Sequence, residues 1–236
     1  TYQAKGVLLT AFNTSPYMDQ FLFGNETTTG KLIDDNSYVY GGGSNVVFSP
    51  DGKILASGGC KEFETNFEPN AHYYCTQGEI ILWNGTSHQR LSTITGQTGS
   101  ISSLTFSPDG HILAASRSSN FWTSDDTNQI ILWDVTNPTN PSQLGMPLVS
   151  SNLLYIRKIA FSPDGKSLAV LGDGINSFEL WDLVSREVTS EILGTDQQVD
   201  YFDMAFSPDG RMLAIGGCAE FDCKQGEIIL WDVLAG

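Results

Sequence analysis

Apolar and polar residues in this chain fall into short blocks, and no segment sustains a helical period. One block alternates, as in Ser102-Ser103-Leu104-Thr105-Phe106 and Arg157-Lys158-Ile159-Ala160-Phe161. Such alternation predicts a half-buried strand. A Ser-Pro-Asp-Gly turn follows each time. Pro presets φ at the first corner, Asp suits the second, and Gly takes the positive φ that closes the turn. Next comes a more continuous apolar run: Ile54-Leu55-Ala56, Ile112-Leu113-Ala114, Leu168-Ala169-Val170 and Met212-Leu213-Ala214. These runs predict inner strands buried on both faces. A third strand ends in Leu-Trp, as in Ile80-Ile81-Leu82-Trp83, and polar stretches at 89–95 and 187–193 predict outer strands.

The blocks repeat. Phe-Ser-Pro-Asp-Gly begins at Phe48, Phe106, Phe161 and Phe206, with Asp51, Asp109, Asp164 and Asp209 in the turns. The Leu-Trp pair ends at Trp83, Trp133, Trp181 and Trp231, spaced by 50, 48 and 50 residues. A period of roughly 40–50 residues with a turn and a Trp-Asp signal marks propeller blades. With Trp133-Asp134, Trp181-Asp182, Trp231-Asp232 and the variant Trp83-Asn84, the chain resembles the WD-repeat β-propellers over nearly its whole length.

The expected fold is therefore all-β, one propeller domain over 1–236 with blades at about 1–35, 36–95, 96–150, 151–195 and 196–236. The first blade is degenerate: Gly6-Val7-Leu8-Leu9 stands for the inner strand and Phe21-Leu22-Phe23-Gly24 for the Leu-Trp strand. The first and last blades read as incomplete. The expectation is a fragment of a longer chain and of a seven-bladed ring, against the alternative of a complete, irregular five-bladed one. The resemblance also implies a Gly-His pair before the inner strand, with the His joining a buried network to the Trp. Gln97 stands there in Gly96-Gln97-Thr98-Gly99, so that network must be altered and apolar packing must carry more of the stability.

Charge changes the picture of partners. The 236 residues carry a formal net charge of −15, which disfavours nucleic acid and anionic lipid and favours a cationic partner or solubility alone. The longest apolar runs are far shorter than a membrane-spanning helix.

Cys60 and Cys218 each follow Gly-Gly at one offset from their turns, and Cys75 and Cys223 each stand eight residues before a Trp. Each pair flanks a hairpin between second and third strands, where opposed Cα atoms lie about 4.5–5.5 Å apart. Disulfides Cys60–Cys75 and Cys218–Cys223 are expected. Four buried thiols are the alternative; a four-thiolate zinc site is disfavoured because it would need two blades that lie apart in the ring to be brought together. The bridges imply an oxidising location: extracellular, cell surface or periplasmic. Asn13, Asn25 and Asn84 begin glycosylation sequons, relevant only there.

The loops between second and third strands are irregular. One, from Lys61 to Tyr74, carries Phe63, Phe67, Tyr73 and Tyr74 among acids; another carries Phe121 and Trp122, and a shorter one Phe221. The resemblance places these loops on one face, which commonly binds partners. The aromatics either form that contact surface or fold back to cap the blades. Oxygen-rich Asp125-Asp126-Thr127-Asn128 and Asp173-Gly174-Ile175-Asn176 lack full calcium-loop spacing and read as solvated turns. None of His72, His88 and His111 sits in a nucleophile, phosphate-loop or zinc-helix motif. No catalytic residue, metal or cofactor is expected. The expected function is a non-catalytic scaffold for other protein chains, the alternatives being a carbohydrate- or ligand-binding propeller and a propeller enzyme.

Overall fold

The computed structural model describes residues 38–40, 45–66, 72–118, 128–174, 176–193, 200–218 and 226–234. The expected first blade at 1–35 lies outside them. The described residues form four sheets and no helix.

The first sheet contains β1 (Tyr38–Tyr40), β2 (Asn45–Phe48), β3 (Ile54–Asn66), β4 (His72–Asn84) and β5 (Arg90–Thr98). The second holds β6 (Ser100–Phe106), β7 (Ile112–Ser118), β8 (Asn128–Asp134), β9 (Ser142–Gln143) and β10 (Leu148–Ser150). The third is the meander β11 (Leu153–Phe161), β12 (Ser167–Gly174), β13 (Asn176–Asp182) and β14 (Glu187–Leu193). In the fourth, β15 (Asp200–Phe206), β16 (Met212–Cys218) and β17 (Gly226–Asp232) pair in order. All these pairings are antiparallel except β1 on β4, which is parallel.

One register governs all four sheets. Leu55 opposes Trp83, Leu113 opposes Trp133, Leu168 opposes Trp181 and Leu213 opposes Trp231. Because side chains alternate along a strand, a fixed register sends a fixed set of positions to each face. The core lies between neighbouring blades. Ala56, Ile80 and Leu82 of the first sheet pack on Leu104 and Phe106 of the second. Ala114, Ile130 and Leu132 of the second pack on Ile159 and Phe161 of the third. Ala169, Phe178 and Leu180 of the third pack on Met204 and Phe206 of the fourth.

The position three residues before each repeat Phe supplies a polar contact across the same junctions. Asn45 Nδ2 donates to the carbonyls of Ile101 (3.2 Å) and Ser102 (2.7 Å). The Ile159 N–H donates to Ser103 Oγ at 3.2 Å. Lys158 Nζ meets Asp203 Oδ1 at 3.0 Å.

Each Ser-Pro-Asp-Gly turn closes identically. In the first, Gly52 N donates to Ser49 O (2.9 Å), with Gly52 at φ +71°. Ser49 Oγ donates to Asp51 Oδ1 (2.7 Å) and accepts from Ile54 N (2.9 Å), while Lys53 N donates to the same carboxylate oxygen (3.0 Å). The Lys53 N–H and then the Ser49 hydroxyl hold the Asp51 carboxyl down at about 2. At Asp109, Asp164 and Asp209 the serine hydroxyl, then the backbone N–H, lowers the carboxyl in the same way.

The Trp network departs from the family pattern. Trp83 Nε1 donates to Ser57 Oγ at 2.9 Å, and Trp181 Nε1 to Glu179 Oε2 at 3.0 Å. Among the described residues, the buried indole N–H groups of Trp133 and Trp231 find no hydrogen-bond partner. Polar contacts to the tryptophans therefore differ from blade to blade, whereas the apolar junction register is constant.

Candidate functional site

Strand direction sorts the connections onto two rims. The Ser-Pro-Asp-Gly turns and the turns after each Leu-Trp strand share one; the connections between second and third strands share the other.

On the second rim the segment expected to be a loop from Lys61 to Tyr74 is mostly strand. Pairing of β3 with β4 continues past the body of the blade through Glu62↔Gln77, Phe63↔Cys75, Glu64↔Tyr74 and Thr65↔Tyr73, to Asn66↔His72. Thr, Phe and Tyr suit a pleated surface, which explains the extension. The ribbon bends at two irregularities, Cys60/Glu62 and Glu62/Phe63. Cys60 and Cys75 are joined there by a disulfide with Cα atoms 5.7 Å apart. They are not cross-strand partners: Cys60 opposes Gly78, and Cys75 opposes Phe63. The extra residues of the bulge slide the two cysteines into reach diagonally. Lys61 Nζ donates to Gln77 Oε1 (2.7 Å) and Thr76 Oγ1 to the Glu62 carbonyl (3.2 Å), which ties down the same bend. Nearer the tip, β1 adds Tyr38, Val39 and Tyr40 beside His72, Tyr73 and Tyr74.

Phe63, Tyr73 and Tyr74 thus stand on the ribbon. Phe67, Phe121, Trp122 and Phe221 lie outside the described residues, as do Asn13, Asn25, Asp125, Asp126 and Cys223. Cys218 is disulfide-bonded; Cys223, its expected partner, is not among the described residues.

Further round this rim the cations are engaged. Arg117 donates to Gln129 Oε1 (3.1 Å) and to the Thr98 carbonyl (2.9 Å). Arg157 meets Asp173 Oδ1 at 2.5 Å and lies 5.3 Å over the Phe202 ring. Asp173, one of the oxygen-rich candidates, is thus neutralised by an arginine. Asn128, from the other, is buried and donates to the Leu153 carbonyl at 2.7 Å. Among the described residues no group of three or more His, Cys, Asp or Glu could hold a metal ion.

The opposite rim holds a cleft of about 390 Å³ between the first two sheets, floored by Ile54, Leu91, Val135 and Pro138 and edged by Asp51 and Asp109. His111 also lines it.

Two features escaped the sequence. The Asp of each Trp-Asp pair caps the following turn: Asp182 Oδ1 accepts from Val184 N (2.9 Å) and Ser185 N (2.7 Å). Asn84 accepts from Thr86 N and Ser87 N at 2.9 and 2.7 Å, so the variant residue does the same work. The other is Glu179, which is 1% exposed. Its Oε1 accepts from Ser150 Oγ at 2.8 Å, joining the third blade to the second. Burial raises its carboxyl above the ordinary value, against the pull of the Ser150 and Trp181 donors. The signal was present: Glu179 stands two residues before its Trp, where the other blades have Ile81, Ile131 and Ile229.

The family description "WD domain, G-beta repeat" matches residues 88–134. The Periodic tryptophan protein 2 homolog of Schizosaccharomyces pombe is 30% identical over 152 residues, covering 64% of this chain and 14% of that protein. Protein hir1 of the same yeast is 33% identical over 91 residues, or 38% of this chain and 9% of that protein. The chain thus spans a small part of these relatives' length. Among solved structures, the Cps50 (Swd1) beta-propeller domain of Myceliophteria thermophila superimposes with a TM-score of 0.52 at 16% identity. It covers 83% of this chain and 53% of that domain.

These relatives correct one expectation. They are nuclear or cytoplasmic, which overturns the extracellular, cell-surface or periplasmic location inferred from cysteine spacing. Paired cysteine registers show that two thiols can meet; they do not report the redox poise of a compartment.

Proposed function

We propose, for a chain that belongs to the WD-repeat β-propeller family, a non-catalytic role as a rigid platform on which other protein chains assemble. Propellers of this family generally mediate protein–protein interaction or assembly, and they are typically non-catalytic scaffolds. One observation carries the reading for this chain. Blades built to a common register support a ribbon that continues beyond them and is clamped at its bend by Cys60–Cys75. A projecting, pre-ordered ribbon loses little entropy on binding, which favours its use as a contact. Phe63, Tyr73 and Tyr74 on it are of the types that supply contact area, with Phe67, Phe121, Trp122 and Phe221 assigned to the same surface. The net charge of −15 favours a cationic partner.

The test removes the ribbon and keeps the blade. Cys60 and Gly78 are cross-strand partners, so residues 61–77 can be replaced by a two-residue Asn-Gly turn, with Cys60→Ser. The expected result is loss of the protein partners that the full chain captures, with the melting transition retained. An unchanged set of partners in the shortened variant overturns the reading. Saturable binding of the full chain to an oligosaccharide, lost in the same variant, replaces it with the ligand-binding one.

A further inference from the structure

The cleft on the turn rim has an apolar floor of Ile54, Leu91, Val135 and Pro138, and every residue that lines it is described. Ile54 and Leu91 are half-buried on the core between the first two blades, and Val135 is 1% exposed. The next junction repeats this floor: Ile112, Leu144 and Leu183 pack in the same way on the core between the second and third blades. There the residue five after the Trp, Arg186, reaches back to the outer edge of the second blade. Its guanidinium donates to the Met146 carbonyl and lies against Gly145, whose Cβ position is 3.4 Å from Nη1. The residue five after Trp133 is Pro138, whose ring supplies no cation. Only its carbonyl meets the first blade, accepting from Ser92 Oγ at 2.6 Å.

Two carboxylates edge the cleft, and the donors of their own turns hold both below the ordinary value, so both are ionised at neutral pH. Each turn uses one oxygen. Asp109 Oδ1 accepts from the Ser107 hydroxyl (2.5 Å) and the His111 N–H (3.0 Å), which leaves Oδ2 without a donor among the described residues. Asp51 Oδ1 is engaged in the same way, and its Oδ2 meets the exposed Lys53 Nζ at 3.0 Å. An exposed pair of this kind contributes little and is readily exchanged for another cation.

We propose that this cleft binds a small organic cation of the alkylguanidinium class. The alkyl stem lies on Ile54, Leu91, Val135 and Pro138, and the guanidinium meets Asp109 and, in place of Lys53, Asp51. A volume of about 390 Å³ falls at the small end of the range for small-molecule sites, and an apolar floor with a few polar groups at its edge is their usual make-up. Arg186 shows a guanidinium held across the next junction by a carbonyl. The first junction offers carboxylates instead, which make the stronger charge-assisted bonds. The site lies on the turn rim and is independent of the rim assigned above to other proteins.

Amide NMR of the full chain titrated with n-butylguanidinium tests it. The Gly110 and His111 amides should shift saturably, while Gly210 and Arg211, beside the equivalent turn of the fourth blade, stay in place. Neutral n-butylurea, of similar shape, and guanidinium without the stem should each bind more weakly. Asp109→Asn keeps the turn's acceptor and removes the charge; it should weaken binding about fivefold, the upper value for a partly exposed ion pair. Pro138→Arg gives the first junction the side chain that the second one has, and should block the cleft. Retained melting transitions check both folds. No saturable shift in the full chain, whether the cleft binds nothing or is filled by residues 1–37, overturns the proposal. So do equal affinity for n-butylurea, unchanged binding in Asp109→Asn or Pro138→Arg, and equal shifts at Gly210, which would mean general attraction to an acidic protein. Tighter binding of acetyl-Gly-Arg-Gly-amide than of n-butylguanidinium reassigns the cleft to an arginine of another protein, and with it the small-molecule assignment falls.

Discussion

Each turn serine is used twice. Ser162 Oγ donates to Asp164 Oδ1 at 2.6 Å and accepts from Ser167 N at 3.0 Å, and the residue is buried. Ser162→Ala leaves the Ser167 N–H without that acceptor, which costs about 1–3 kcal/mol; urea unfolding measures it. Gly172 faces a steric limit, since a Cβ there would overlap the carbonyl oxygen of Tyr155. Gly172→Ala is expected to destabilise by about 1–3 kcal/mol through overpacking. Glu179 gives a pH signature. Its carboxyl is raised by burial, so its contribution is fully present below the unfolded value of about 4.3 and is lost as pH rises through the higher folded value. Glu179→Gln removes that loss while keeping the shape. The melting temperature of the variant relative to the parent should therefore increase from pH 4 to pH 7; a difference independent of pH contradicts the assignment. The turn carboxylates act with opposite sign. Asp51, held at about 2, contributes above its unfolded value of about 3.9 and loses that contribution as pH falls toward 2.

At the scale of the element, the inner strands and turns were legible because each position repeats with one chemistry. Phe48, Phe106, Phe161 and Phe206 end the strand before each turn, the runs at Leu55, Leu113, Leu168 and Leu213 mark the inner strand after it, and the tryptophans fix the register of the third. The ribbon was not legible in that way. Its residues alternate acids with aromatics, a pattern equally suited to a loop, and only the cross-strand pairing from Glu62↔Gln77 to Asn66↔His72 shows the strands continuing. The cysteine register was visible, but the bulge that makes their contact diagonal was not, since a bulge inserts a residue without a sequence repeat to reveal it. The bridge closes a short loop, with a sequence separation of 15, for which chain entropy suggests about 3 kcal/mol. Cys60→Ser with Cys75→Ser should speed amide exchange at Glu62–Thr65 and Tyr73–Cys75 while leaving Ala56 and Leu82 protected. Equal acceleration at both places would show that the bridge supports the whole blade. Because the relatives are nuclear or cytoplasmic, where disulfides are rare, the thiols should also be counted by alkylation in protein taken directly from cells.

For the whole molecule, a constant register between blades and variable rims divide the labour. The junctions Ile80–Leu104, Ile130–Ile159 and Phe178–Met204 use interchangeable apolar residues at fixed positions, so they encode shape and carry no information about a partner. The rim bearing the ribbon differs from blade to blade in length, charge and aromatic content. Fold alone does not assign function; the site does, and here the proposed site is that rim. Lysines mark both rims: Lys61 lies on the ribbon, whereas Lys53 and Lys166 flank the Ser-Pro-Asp-Gly turns on the opposite one. Amine cross-linking of the chain in its native assembly, read by mass spectrometry, therefore tests the platform most directly. The account predicts that links to other proteins concentrate at Lys61, with Lys53 and Lys166 largely free of them. Links concentrated at Lys53 and Lys166, with Lys61 unmodified by any partner, would contradict it.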